Sequence, residues 1–225
     1  MEGLLFEQAG VVTWAQAVAA LGPARVRHLV RSGRWRRVCR GVLLARPGPV
    51  GEDQVWWVAV LAAGDGAVLA GLAAARAGGL RGWWRQDSVD VLVPHHRSVA
   101  ALPNRLPLGL PAVRVRRSRE LSAEDVLRGR PARTTMARAV VDAAQWARTD
   151  DEALTVVAAA CQQRLATAAQ IREVLARLPR LRRRRLILQA VGDIEGGASA
   201  LSEIDFVRLC RRAGVTAPGS AGAAA

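Results

Sequence analysis

Gly22-Pro23 interrupts a run of helix-forming residues, and this dipeptide constrains the fold more than any other feature of the chain. Proline has no amide hydrogen and clashes with the preceding turn, so no helix continues through it, yet it is well placed at a first helical position. In TWAQAVAALGPARVRHLVRSGRWRRVCRGVLLA, residues 13–45, one helix must therefore end near Leu21 and another begin at Pro23. Thr13 is a suitable N-cap for the first, which carries Trp14, Ala17, Val18 and Leu21 at helical spacing. The second runs to about Ser32, with Gly33 as its C-terminal stop. A short helix over 3–9 precedes both. RWRRVCRGVLLA then reads as two short strands around Arg40-Gly41, with Trp35, Val38 and the aliphatic residues packing inward.

Two helices separated by a short turn and followed by a hairpin form the expected outline of a winged helix-turn-helix. On the helix that begins at Pro23, Val26, Leu29 and Val30 share one side, Arg27, His28 and Arg31 the other, and Arg25 lies on the flank. Between Glu7 and Glu52 there is no acidic residue, whereas eight arginines fall in that interval. A solvated face normally mixes both signs. One sign alone suits a polyanion: Arg27, His28 and Arg31 are expected to approach base edges, Arg25 to touch the backbone, and Arg34, Arg36, Arg37 and Arg40 to anchor the hairpin on phosphates.

The whole chain has a formal net charge of +14, which also calls for an anionic partner, nucleic acid or a membrane surface. All 33 basic residues are arginine. The missing lysine is explained by a GC-rich coding bias, but it still excludes a P-loop lysine, a Schiff base and the lysine of the common nuclease motif. Guanidinium groups remain, and they suit bidentate contact with phosphate or guanine. Cys39, Cys161 and Cys210 are far apart and show no C-x-x-C spacing, so neither a disulfide framework nor a zinc site is expected. The N-terminus lacks the basic residues of a signal peptide, and the apolar stretch 55–63 is about half of a membrane span of roughly 20 residues. A soluble cytoplasmic protein without cofactor or membrane association is expected.

The expected fold class is α+β, with a winged helix-turn-helix over 1–48, a small mixed α/β domain over 52–133, a helical domain over 134–195 and a short final region over 196–225. Residues 54–63 and 67–77 read as helices, VDVLV and AVRVRR as strands, and the chain from Thr134 on as almost wholly helical, with Thr149, Asp150 and Thr167 as caps. The small-residue tail TAPGSAGAAA is expected to be disordered.

Four further features resemble sites without the spacing of one. GDGAVLAG lacks the G-x-G-x-x-G spacing and reads as a turn. His95-His96 has no evident third ligand and reads as a solvated loop. Arg138 and Asp142 stand four apart and should pair across one helical turn, which on an exposed surface is worth only about 0.3 to 0.5 kcal/mol. The run Arg182 to Arg185 cannot all face one way; Leu181, Leu186 and Leu188 supply its core contacts, and a solvated face with auxiliary phosphate contact is expected. Among seven tryptophans, the pair Trp83-Trp84 in a Gly/Arg loop hints at a second partner, a protein or an unpaired base.

GVVTWAQAVAALGPARVRHLVRSGRWRRVCRGVLLARPG resembles the N-terminal winged helix of actinobacterial AbiEi-like antitoxins and related transcriptional regulators. The resemblance continues through GAVLAGLAAARAGGLRG, VDVLVPHHR, VRVRRSRELSAEDV and PARTTMARAVVDAA, and so covers most of the chain to about Gly214. It implies the autorepressing antitoxin of a type IV toxin-antitoxin system, binding double-stranded DNA, with a nucleotidyltransferase-like toxin as genetic partner. GDGAVLAGLAAARAGGL carries glycine or alanine where many relatives have Ser or His, so no activity resting on those side chains carries over. GGASALSEIDFVRLCRRAGVTAP resembles the opening helix of a very-short-patch-repair-like endonuclease domain, in which the residue matching Glu203 helps to hold a metal. The strands that would complete such a centre should follow Pro218, where the sequence stops within a few residues. A truncated start of that domain is therefore expected, with Glu203 and Asp205 as surface residues and no enzymatic activity. The alternatives are a remnant of a metal-dependent endonuclease-like protein, and a basic scaffold for RNA or a protein toxin.

Overall fold

The computed structural model describes residues 1–46, 48–82, 84, 87–99, 102 and 106–195. These form a mixed structure of nine α-helices and two sheets, consistent with the α+β class. Two compact units divide the chain, one comprising Met1–Leu69 with Gln86–Arg133, the other Ala70–Arg85 with Thr134–Ala225. The first 48 residues thus cluster with most of the region expected to be a separate mixed domain, while residues 70–85 cluster with the helices that follow Thr134. The segment GGASALSEIDFVRLCRRAGVTAP with Glu203, Asp205 and Cys210, the small-residue tail and Trp83 lie outside the described residues.

The first unit opens with α1 (Glu2–Glu7), β1 (Val11–Thr13), α2 (Trp14–Leu21), α3 (Pro23–Arg31), β2 (Arg36–Cys39) and β3 (Val42–Leu44). Thr13 starts α2 through a full capping box: its hydroxyl accepts from the Gln16 amide at 3.1 Å, and its own amide donates to the Gln16 side chain at 2.8 Å. Gly22 alone separates α2 from α3, at φ +76°, where glycine carries no steric penalty. β1, β3 and β2 form an antiparallel sheet in that order, with Val12 opposite Leu43 and Arg36 opposite Leu44.

Both faces of this sheet are buried, and the two-residue strand period distributes the side chains. Val12 and Leu43 pack with Ala17, Val26, Leu29 and Trp35 on the side of α2 and α3. Val11, Val42 and Leu44 pack on the other side with Val58 of α4 (Glu52–Ala63) and with Leu106 and Leu110. Val38 and Cys39 are neighbours in sequence yet both join this second cluster. The register of β2 shifts between Arg37 and Cys39, and such a bulge turns two successive side chains the same way.

A second, five-stranded sheet completes the unit: β4 (Val68–Leu69), β5 (Ser88–Pro94), β6 (Ala112–Ser118), β7 (Val126–Leu127) and β8 (Arg133–Thr134), in the order β6-β5-β4-β8-β7. β5 and β6 run parallel over seven paired residues, from Ser88 opposite Ala112 to Pro94 opposite Ser118. β4 corrects the helix expected over 67–77, which begins only at Gly71. Ala67, Val68, Leu69 and Ala70 are all buried, and a short apolar run flanked on both edges by strands is indistinguishable in sequence from a buried helical turn.

The second unit consists of α5 (Gly71–Ala77), α6 (Met136–Trp146), α7 (Asp150–Gln162), α8 (Ala168–Arg177) and α9 (Arg184–Glu195). α5 and α6 are alanine-rich and approach closely. A Cβ on Gly71, which has φ +56°, would stand 2.9 Å from the Trp146 ring. Gly71→Ala should therefore destabilise the unit by about 2 kcal/mol, from left-handed backbone strain and overpacking together, measured as a lowered urea midpoint. Thr149 and Thr167 cap α7 and α8 as expected. Asp150 is instead the first residue of α7 and accepts from Arg183 Nε at 2.6 Å.

The arginine run that leads into α9 is partly engaged within this unit. The Arg183 guanidinium also donates to the carbonyls of Gln145, at 3.2 Å, and Ala147, at 2.8 Å, at the end of α6. Arg184 donates to Leu175 and Leu178 at the end of α8. Cations on free C-terminal carbonyls satisfy acceptors that the helix leaves open and oppose the helix dipole. Arg182 and Arg185 remain exposed, so half of the expected solvated face is occupied in helix capping.

Candidate nucleic-acid interface

α3 presents a basic face because it is fastened from behind. Val26 is fully buried and Leu29 nearly so, while Arg25, Arg27, His28 and Arg31 are exposed, in agreement with the helical spacing. The helix ends through Gly33, at φ +71°, whose amide donates to the Val30 carbonyl at 3.2 Å. The Trp35 amide then donates to the Leu29 carbonyl at 3.0 Å, and the Trp35 ring is buried in the same cluster as Val26 and Leu29. The turn between helix and hairpin is thus closed by hydrogen bonds and an aromatic plug. That restricts how far the exposed arginines can move with the backbone.

The hairpin arginines divide into two kinds. Arg34, Arg37 and Arg40 are exposed. Arg36 is half-buried, and its guanidinium donates to the Gly48 carbonyl at 2.6 Å, holding the segment after β3 against the edge strand. The Arg37 guanidinium lies over the Trp14 ring, 5.7 Å from its centroid, within the range of a cation–π contact. The Trp14 amide donates to the Gly41 carbonyl at 2.8 Å, so the hairpin turn is tied to the first residue of α2. Nothing in the spacing announces Trp14 as a platform for Arg37: the two are 23 positions apart and meet only through the pairing of β1, β3 and β2.

The electrostatics of this surface are one-sided. Among the described residues, Arg25, Arg27, Arg31, Arg34, Arg37 and Arg40 form no ion pair with a carboxylate. Elsewhere arginines find acids within reach: Arg116 and Asp90 at 2.7 Å, Arg130 and Glu7 at 3.0 Å, Arg148 and Glu152 at 2.7 Å. Six guanidinium groups without acidic neighbours repel one another through solvent. A polyanion relieves that repulsion, and on nucleic acid the displaced counterions add a favourable entropy.

The remaining candidates lie elsewhere. His95 and His96 are exposed in the turn after β5, and among the described residues no group of three or more His, Cys, Asp or Glu is arranged to hold a metal ion. Arg138 and Asp142 do pair across one turn of α6, at 3.0 Å, but both are buried rather than exposed, and the surface value expected for the pair does not apply. Cys39 and Cys161 are free thiols, the first buried and the second partly buried, and burial pushes both above the ordinary range, which disfavours the thiolate. No helix among the described residues is long and apolar enough to cross a membrane. The sequence matches no protein-family model, and no curated protein matches it.

Proposed function

We propose that this chain is a sequence-specific double-stranded DNA-binding regulator, in which α1 to β3 act as a winged helix-turn-helix and α3 enters the major groove. The observation that carries this reading is the α3 face: three arginines and a histidine, exposed, without a carboxylate partner among the described residues, on a helix anchored from behind by Val26, Leu29 and Trp35. An α-helix with its side chains is about 10–12 Å across, which suits a major groove about 12 Å wide, and the nine residues of α3 extend about 13 Å. Arg27, His28 and Arg31 approach base edges, Arg25 meets the backbone, and Arg34, Arg37 and Arg40 follow phosphates beside the groove. Arg36 serves the hairpin itself through its bond to Gly48.

The resemblance of residues 10–48 to AbiEi-like regulators extends the proposal to an autorepressing antitoxin of a type IV toxin-antitoxin system. In that role the operator lies upstream of the chain's own gene, and a nucleotidyltransferase-like toxin is the genetic partner. Affinity for that upstream duplex above a scrambled one, together with repression of a reporter joined to it, tests the extension.

Salt gives the first quantitative test of the core reading. With Arg25, Arg34, Arg37 and Arg40 each neutralising a phosphate, this surface alone should make log affinity fall against log salt with a slope of about −4. Fluorescence anisotropy over a chloride series measures it. A slope near zero, or structured RNA displacing duplex DNA in competition, overturns the reading.

A further inference from the structure

We propose that the C-terminal edge of the parallel pair β5 and β6 is a second phosphate-binding surface, which takes the backbone of a DNA duplex independently of α3. The proposal rests on reading the chain as a DNA-binding protein, and extends it to a site distant in sequence from the helix and hairpin.

Strand register creates this surface. Pro94 pairs with Ser118, and the His95 amide donates to the Ser118 carbonyl at 2.9 Å, so the two chains leave the sheet side by side. The Arg97 amide donates to the Pro94 carbonyl at 3.0 Å, turning that segment back over the strand end. His95, His96 and Arg97 from one chain and Arg117 and Arg119 from the other therefore share one edge, and all five are exposed. About twenty residues separate the two groups in sequence, so neither looks like a basic cluster by itself.

Charge pairing distinguishes this edge from the adjacent sheet surface. Immediately before Arg117 on β6, Arg116 is bound to Asp90 at 2.7 Å; burial pushes the Asp90 carboxyl above its ordinary range, and Arg116 and Arg114 only partly offset this. Among the described residues Arg97, Arg117 and Arg119 have no such acid, although Asp65 and Glu120 belong to the same unit. The sheet thus neutralises its inner arginine and leaves the outer three available. β6 is also the edge strand, and a second copy of the chain added there would set Arg114, Arg116 and Arg117 near their own counterparts, a like-charge juxtaposition that opposes pairing. A lipid surface fits poorly too, because 95–98 and 117–120 contain no tryptophan, phenylalanine or aliphatic residue, and the flanking Val99 and Leu121 are only partly exposed. Exposed guanidinium groups gathered at one sheet edge match a run of backbone phosphates.

The test compares the full-length chain with Arg97→Ala/Arg117→Ala/Arg119→Ala on a fluorescein-labelled 30-base-pair duplex of scrambled sequence. Loss of three phosphate contacts should make the salt slope shallower by about 3 and weaken binding tenfold or more near 0.1 M salt. Arg117→Gln/Arg119→Gln, which retains much of the aliphatic stems, should lose about 2 from the slope and guards against an effect of folding. Discrimination between selected and scrambled duplexes should remain as in the parent chain. An unchanged slope in both variants overturns the second surface while leaving the α3 reading intact. Binding of the parent, but not the variants, to phosphatidylglycerol vesicles with no change on duplex assigns the edge to lipid and overturns it equally. If Arg27→Ala/Arg31→Ala keeps full discrimination while the triple variant loses slope, the α3 reading fails and the second surface stands.

Discussion

Arg27→Ala/Arg31→Ala should reduce discrimination between a duplex selected by the protein from a randomised pool and a scrambled duplex by about 30-fold or more. Each guanidinium that reads a base edge is worth about 1 to 3 kcal/mol of discrimination, and two such losses act on the same helix face. Both side chains are exposed, whereas the helix is held by Val26, Leu29 and Trp35 on its opposite side, so the unfolding midpoint should stay close to that of the parent. Arg27→Lys/Arg31→Lys separates charge from geometry: it should keep nearly the parent salt slope but lose much of the discrimination, because a lysine ammonium cannot make the paired hydrogen bonds of a guanidinium. Unchanged discrimination in the alanine variant would remove α3 as the reading element.

The second large effect lies in the helical unit. Asp142→Ala is expected to cost about 3 to 5 kcal/mol, enough to threaten folding of a domain of ordinary stability. Arg138 and Asp142 are both almost completely buried, the pair is closed at 3.0 Å, and the Gln145 amide donates to the second Asp142 oxygen at 2.8 Å. Removing the carboxylate leaves a buried guanidinium without its counter-charge, which is far more unfavourable than loss of a pair in water. Arg138→Met/Asp142→Leu, which removes both charges and roughly conserves volume, should recover most of the loss. Urea unfolding of the two single variants and the double gives the coupling energy directly. A cost below about 1 kcal/mol for Asp142→Ala would mean that water reaches the pair and that burial contributes little.

The two effects differ in how far they were legible. The α3 face followed from residues within two helical turns of each other, and the structure exposes Arg25, Arg27, His28 and Arg31 as the spacing requires. The Thr13 cap, the break at Gly22-Pro23 and the turn at Arg40-Gly41 are equally local signals, and each marks its element boundary. Arg138 and Asp142 were recognisable as a pair, but their worth was not: the i, i+4 relation is a property of one helix, whereas burial depends on what other helices lay over it. Arg36 and Arg183 show the same limit. Each looks like surface charge in a basic run, yet one holds the Gly48 carbonyl and the other closes the end of α6, because partners 12 and 36 to 38 positions away arrive only with the fold.

Short buried strands were the other loss. β1 has three residues and β4 two, too few to express an alternation, and the all-apolar run at Ala67–Ala70 suits a helix or a central strand equally well.

The sequence by itself determined where the first helices start and stop, which side of α3 is basic, and that no acid lies between Glu7 and Glu52 to neutralise it. These depend on backbone sterics, helical period and composition, all of which act within a few residues. Only the tertiary structure decided which arginines remain available to an anion, that the three-stranded sheet is buried on both faces, and that the ends of β5 and β6 gather a second cationic edge. Those outcomes depend on contacts between distant segments: a charge is free, paired or buried according to which backbone arrives beside it, and no local period encodes that arrival.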